Sequence, residues 1–496
     1  MENSYKTLKK QPMNIQIEFE TGAAQWPNDI AIVHRGKRIR YGELDATVKV
    51  LIAEFHRLGV EPGDKIGLLF PNGPEHIAAT LAILGLGAVA VFLSPLSSAA
   101  EIAALAEEIS LESICFAERF GGYLSSCPGS VTGELNLFNG QEPMAVRQCP
   151  CSNEREERRS LVQINAAALR FSSGTTGKAK GIINSHETIL ERAKVHFQSP
   201  PLKKDDAVLW MQPLGRLPGP LAYLLRGAKL VIGDALESTT LAQVIRAEGV
   251  THVYTVPLFF RTILNDDFAA TGLGRVRYFL SGGTALGQQL ADQFSAKFGH
   301  EIIEHYGLAE TGTVFMNESE DPRKRGSIGL PVRTEVKLAS AEGLCLEGEA
   351  TGELLVRCAG LFDAYYQPWR LRDDVLADGW FNTGDVARRD ADGYYWIVGR
   401  VKEMINVAGV KVFPQDIESI LASHDAVEEA VVFAVPNKRF GEVPHAKVKL
   451  RSGSTSTRKE LLTYTNDRLP VFKSLRGLEF VDSIPKTITG KVKRLA

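Results

Sequence analysis

Short apolar runs alternate with stretches of helical spacing from Lys65 to Gly283, and this alternation constrains the chain more than any other feature. Candidate strands are KIGLLF (65–70), VAVFL (89–93), ESICFA (112–117), ALRFSS (168–173), AVLWMQ (207–212), AKLVIG (228–233), HVYTV (252–256) and VRYFLSGG (276–283). Helical spacing falls between them, as in Glu187–Phe197 and Leu286–Phe298. Strands that are apolar throughout, separated by helices, imply parallel-type sheets covered on both faces. The twenty uncharged residues from Ile77 to Leu96 are long enough to span a bilayer. Gly85 and Gly87 interrupt them and Ser94-Pro95 stops them, so a buried helix (HIAATLAIL) and a buried strand are expected instead of a membrane span.

From Gly352 the pattern turns β-rich (GELLVR, GWFNTGD, GYYWIVGR), and after Arg400 a small α+β unit is expected. Its helices are PQDIESILASH and RKELLTYTNDRL, and its strands EEAVVFAV and HAKVKL. The expected architecture is α/β: a large N-terminal domain (1–400) with parallel-type sheets and a β-rich subdomain, then a small α+β C-terminal domain (401–496). Between Cys127 and Ser160 the pattern fails, and the charge run EREERR (154–159) reads as a solvated loop between subdomains.

Composition excludes several classes of function. Lys plus Arg is 57 and Asp plus Glu is 59, giving −2, without the basic excess of a general nucleic-acid binder. The six cysteines (115, 127, 149, 151, 345 and 358) do not make a disulfide framework in a chain of 496 residues, and Cys149 and Cys151 lack a second pair to complete a zinc site. Reduced thiols and a start without an apolar signal region lead us to expect a cytoplasmic protein.

RFSSGTTGKAKGII (170–183) follows a candidate strand and is dense in Gly, Ser, Thr and Lys. Glycines let backbone amides approach an oxyanion, and hydroxyl and ammonium groups add donors. A Walker A loop does not fit: Ser172 stands where its first glycine belongs and Ala179 where its hydroxyl belongs. The loop therefore points to a nucleotide, but not to an ordinary P-loop enzyme.

This stretch resembles the signature loop of the adenylate-forming enzymes, which include acyl- and aryl-CoA synthetases, peptide-synthetase adenylation domains and luciferases. Ser172, Ser173, Gly174, Thr175, Thr176, Gly177 and Lys180 match, as does Ser185-His186, while Ala179 replaces the usual proline. Four further segments match in family order. FLSGGTAL (279–286, with Gly282 and Gly283) resembles the lining of the adenine and acyl pockets, and EHYGLAETG (304–312) the aromatic-Gly-x-x-Glu motif. The block 379–418 resembles the ribose-binding and hinge region, and PKTITGKVKR (485–494) the motif of a catalytic lysine.

The resemblance implies an AMP-forming acid–thiol ligase. The cofactors and partners it implies are ATP, Mg²⁺, a carboxylic acid and either coenzyme A or the phosphopantetheine of a carrier protein. It implies that Glu310 holds the metal, Tyr306 stacks on adenine, and Asp385 and Arg400 bind the ribose. It implies further that Lys491 bridges carboxylate and α-phosphate, Lys402 is the hinge of a mobile C-terminal domain, and Gly409 lets the pantetheine arm pass. Ala309 replaces a threonine that contacts phosphate in many members, leaving Thr311 or the loop hydroxyls to compensate.

In QPLGRLPGP (212–220), Gly215-Arg216 stands where Phe-His is common, and Arg216 suits recognition of a second acidic group or pairs with a neighbouring acid. Beside the ligase stands a reading from another class: a catalytically silent nucleotide-binding relative. A luciferase-type oxygenation is a remote third.

Overall fold

A computed structural model describes residues 13–131, 135, 137–138, 143–149, 155–172, 180–233, 238–265 and 273–484. The chain divides into two compact units, and neither is continuous in sequence. One takes in most of the first 314 residues together with Cys358–Val375, and the other Phe315–Arg357 and everything from Leu376 onward.

In the first unit one sheet runs, in spatial order, Arg370–Leu371, Ala364–Tyr365, Lys180–Ser185, Ala166–Ser172, Val89–Phe92, Lys65–Leu69, Ser113–Ala117, Met144–Gln148 and Ser130–Val131. Its central strands pair in parallel and its flanks antiparallel. The other sheet includes, in spatial order, Ile302–Leu308, Tyr278–Gly282, His252–Thr255, Ala207–Trp210, Lys229–Ile232, Ile30–His34 and Lys37–Arg40, these pairing in parallel except at the last pair, and beyond Ile302–Leu308 it continues with Gly312–Asn317 and Leu330–Pro331. Beside this second sheet Leu209, Val253, Phe260, Phe279 and Phe294 pack into one core with the helices Pro257–Asn265 and Gln288–Phe298.

The uncharged stretch behaves as expected. Pro74–Gly85 is a helix buried almost all round, Gly87 turns the chain at φ +70, and Val89–Phe92 joins the sheet. Among the described residues no helix is long and apolar enough to cross a membrane.

The expected loop at 127–160 is corrected. Met144–Gln148 is a strand, and the charge run forms most of the helix Arg155–Gln163. Within it Glu157 neutralises Lys65, a fully buried lysine whose ammonium also meets the Tyr366 hydroxyl at 3.0 Å, and Arg158 pairs with Glu61 and Asp64. The charges that read as solvation balance charges beneath them.

In the second unit a five-stranded antiparallel sheet is ordered Cys345–Leu346, Glu335–Ala339, Ala350–Arg357, Phe381–Arg389, Tyr395–Arg400. The small α+β part follows. Ile405, Ile417, Leu421, Val432, Ala446, Val448, Leu461 and Leu478 form a core of their own beneath the helices Pro414–Ala422 and Arg458–Asn466. A reciprocal Thr457–Glu460 capping box starts the second helix, satisfying two of its free N–H groups.

Candidate active site

The hairpin of Ala166–Ser172 and Lys180–Ser185 brackets the Gly/Ser/Thr loop, with Ser172 and Lys180 paired across it. Ser173, Gly174, Thr175, Thr176 and Gly177 lie outside the described residues, as does Lys491. At the loop's exit the Lys180 ammonium sits 5.0 Å from the centre of the Tyr365 ring. The Ser185-His186 pair is structural. Ser185 caps the helix His186–Gln198 through Thr188 N, and the His186 Nδ1 accepts from Ile15 N at 3.1 Å. Burial lowers the His186 pKa to about 4, so its ring is neutral.

Glu310 lies in a tight turn between strands. A Cβ on Gly307 would fall 1.9 Å from the Gly312 carbonyl oxygen, and Gly312 itself takes φ +66, so both positions require glycine. Arg192, buried on the helix after the loop hairpin, locks the turn. Its Nη1 donates to Ala309 O at 3.1 Å, its Nη2 to Glu310 O at 2.7 Å and its Nε to Gly360 O at 2.7 Å. Burial lowers its pKa to about 10, which leaves it charged at neutral pH. Phe362 N also donates to Glu310 O at 2.7 Å. With its backbone so held, the half-buried Glu310 presents its carboxylate, whose Oε1 accepts from the Tyr365 hydroxyl at 3.2 Å. Burial and the Glu310 charge push the Tyr365 pKa up, so the hydroxyl stays a donor.

Tyr306 is half-buried on the strand Ile302–Leu308 leading into this turn. Thr311 is buried and closes its own turn, donating to Gly312 O at 2.7 Å and accepting from Leu308 N at 3.0 Å. Its hydroxyl is therefore engaged with the backbone of its own turn.

Gly282 is held glycine by the side chain of His305, and Gly283 by its φ of +95. A Cβ on Gly282 would meet His305 Nε2 at 1.8 Å, and one on Gly283 would meet both terminal nitrogens of Arg216 at 3.0 Å. His305 is anchored by the Tyr254 hydroxyl at 2.6 Å, and burial with the nearby His196 and Arg216 lowers its pKa to about 3. Arg216 therefore turns inward. Its one described side-chain hydrogen bond goes to the neutral Gln212, so it does not pair with a neighbouring acid there.

The other candidates belong to the second unit. Asp385 is 3% exposed, and its Oδ1 accepts from Arg400 Nε at 2.6 Å across neighbouring strands. Thr383 Oγ1 accepts from Asp385 N at 3.1 Å and donates to Leu354 O at 2.8 Å, which fixes the carboxylate's backbone. Lys402 is exposed in the single turn Val401–Glu403. Gly409 (φ +88) and Ala408 (φ +51) make a two-residue hairpin turn between Ile405–Val407 and Val410–Val412, a geometry that by itself favours glycine at 409.

Sequence reasoning named Glu310 but missed Arg192 and Tyr365, which hold it, and Arg170, which shares its electrostatic neighbourhood. A basic residue inside a helical pattern and a tyrosine in YY gave no signal of these contacts.

The model of the AMP-binding enzyme family matches residues 19–366, and that of the AMP-binding enzyme C-terminal domain matches 416–491. The 4-coumarate–CoA ligase 4 of Arabidopsis thaliana is 29% identical over 488 residues, covering 92% of this chain and 85% of the relative. The long-chain-fatty-acid–CoA ligase of Yersinia pestis is 28% identical over 519 residues, covering 96% and 92%. Among solved structures, ATP-bound MatB from Rhodopseudomonas palustris superposes with a TM-score of 0.84 over 97% of both chains at 22% identity. At that identity the likeness speaks for the fold.

Proposed function

The chain belongs to the AMP-binding enzyme family, and from that premise we propose how its residues carry out the work of an AMP-forming acid–thiol ligase. In the first half-reaction a carboxylate oxygen attacks the α-phosphorus of ATP. The bond to the leaving pyrophosphate breaks, giving acyl-AMP. In the second, a thiol sulfur attacks the acyl carbonyl, losing its proton, and AMP leaves. Coenzyme A is the thiol we favour, and a carrier-protein phosphopantetheine offers the same arm.

The observation that carries this reading is the Glu310 turn, whose backbone is fastened by Arg192 and Phe362 while its carboxylate stays half-exposed. One oxygen-donor carboxylate, completed by phosphate oxygens and water, suits Mg²⁺. We assign Glu310 to hold that ion, which offsets phosphate charge when bound. The Tyr365 hydroxyl keeps the carboxylate oriented. Asp385 and Arg400 are assigned to the ribose, Tyr306 to adenine and the 172–180 loop to the phosphates. Lys491 is assigned to the repulsion between the two anions. We take 401–496 as the mobile domain, turning at Lys402, with Gly409 beside the pantetheine path. A cytoplasmic location remains our reading of the cysteine usage.

The test is a screen of acids for ATP- and Mg²⁺-dependent pyrophosphate release, with and without coenzyme A. We expect acid-dependent release, and thiol consumption when coenzyme A is present. Glu310→Ala and Asp385→Ala should each lower adenylation about a hundredfold, as loss of a positioned charge does. Acid-independent behaviour across aliphatic, aromatic and amino acids would hand the chain to the silent nucleotide-binding reading.

A further inference from the structure

Three arginines and one glutamate share an electrostatic neighbourhood in the first unit. The charge of Arg170, on the strand leading into the Gly/Ser/Thr loop, is opposed by Arg216 and Arg192 and favoured by Glu310. Arg192 spends its donors on the carbonyls of 309, 310 and 360. Arg216 makes one described side-chain hydrogen bond, to Gln212 Oε1, and Gln212 is itself fixed by donating to Thr255 O at 2.8 Å. For Arg170 no side-chain hydrogen bond is described to any described residue.

A guanidinium carries five N–H donors, so most of the donor capacity of these two residues is uncommitted among the described residues. Both are half-buried, and burial lowers the pKa of each, that of Arg170 to about 9. Two like charges brought together out of water are unfavourable until an anion joins them. The available carboxylates do not fill that role. Glu310 serves Tyr365 and the assigned metal, while Glu304 accepts from Leu286 N at 3.1 Å and is pushed up to about 7 by burial. The guanidinium of Arg216 lies against Gly283, in the segment that resembles the lining of the adenine and acyl pockets.

We propose that Arg216, with the charge of Arg170 in its neighbourhood, recognises a second anionic group on the acid substrate, so that the enzyme prefers dicarboxylates or acids carrying a distal anion. This deepens the proposed activation of an acid and rests on it. An ATP phosphate offers similar chemistry. The assay separates the two sources.

The full chain is assayed for pyrophosphate release with malonate through adipate and terephthalate. The matched monocarboxylates are propionate through hexanoate and benzoate. We expect kcat/KM about a hundredfold higher for at least one dicarboxylate than for its partner. In Arg216→Met the dicarboxylate KM should rise until that ratio approaches one, and Arg216→Lys should restore part of it. Arg170→Met should act in the same direction, with Arg170→Lys assayed in its place should Arg170→Met not fold. Equal use of mono- and dicarboxylates by the wild type overturns the proposal. So does a rise in the KM for ATP without a change in the acid ratio, which would assign the anion to ATP. Inactivity with every acid would instead strike the proposed function. Calorimetric titration of the dicarboxylates into wild type and Arg216→Met would then decide the anion pair separately, binding to the wild type alone supporting it and no difference overturning it.

Discussion

Glu310 and Asp385 are two carboxylates assigned to the same nucleotide, yet they are fixed in opposite ways. The turn that carries Glu310 is fastened from afar: Arg192 reaches it across 117 and 118 residues of sequence, and Tyr365 across 55. Asp385 is fastened locally, by Thr383 two residues before it and by Arg400 fifteen residues on, across one strand pairing. The first arrangement concentrates the cost of failure in one distant side chain. The second spreads it over a hairpin that can re-form around a missing group.

That contrast makes Arg192→Ala the most damaging substitution expected. It removes a buried charge, takes the Arg192 donor from the carbonyls of 309 and 360, and leaves that of 310 with Phe362 N alone, a loss of about 3 kcal/mol by analogy with broken buried ion pairs. Chemical denaturation measures it. Arg192→Lys should rescue little, since one ammonium cannot span three carbonyls. A loss below about 1 kcal/mol would mean that the turn holds itself. Next comes Gly282→Ala. Its Cβ would overlap His305, forcing the imidazole off the Tyr254 hydroxyl, at about 2 kcal/mol, the usual scale of overpacking. An unchanged melting temperature would show that His305 moves freely.

Asp385→Ala should cost only about 1 kcal/mol of stability, because Arg400 retains access to solvent. A loss as large as that of Arg192→Ala would erase the distinction between the two carboxylates. An effect of similar size at neutral pH, but stabilising, belongs to Glu304→Gln. Burial raises the Glu304 pKa from 4.5 to about 7, so the folded protein keeps a proton that the unfolded chain releases. Wild-type stability therefore falls as pH rises from about 4.5 to 7 and levels off above. Gln keeps the acceptor for Leu286 N, while its unpaired amide N–H group offsets most of the gain, leaving about 1 kcal/mol. The readout is the slope: melting temperatures from pH 4 to 8 should fall less in the variant, and parallel curves would contradict the assignment.

The fold was legible wherever burial writes itself into a run of residues. The strands at 65–70, 89–93 and 252–256 are found within a residue of their expected bounds, because continuous apolar runs leave no other environment for them. The charge run at 154–159 misled, since a salt-bridged helix covering a buried lysine has the composition of a solvated loop. In the candidate site the motifs named the chemical groups and left out their supports. Asp385 and Arg400 were both named through the resemblance, while the bond between them follows from a strand register with an irregularity that no motif records. No pattern in the sequence tells Arg192 apart from an ordinary surface arginine on a helix, because its partners are backbone carbonyls brought near only by the tertiary fold.

The central claim is that one chain performs two half-reactions with separate groups, and Lys491→Ala tests it most directly. The variant is assayed first for acid-dependent pyrophosphate release and then for conversion of supplied acyl-AMP and coenzyme A to thioester, using the acid that the screen selects. Circular dichroism checks the fold. The ammonium of Lys491 is assigned to offsetting repulsion between carboxylate and α-phosphate, a demand that exists only while acyl-AMP forms. The account predicts that pyrophosphate release disappears while thioester formation from acyl-AMP persists. Equal loss of both half-reactions in a folded variant would contradict it.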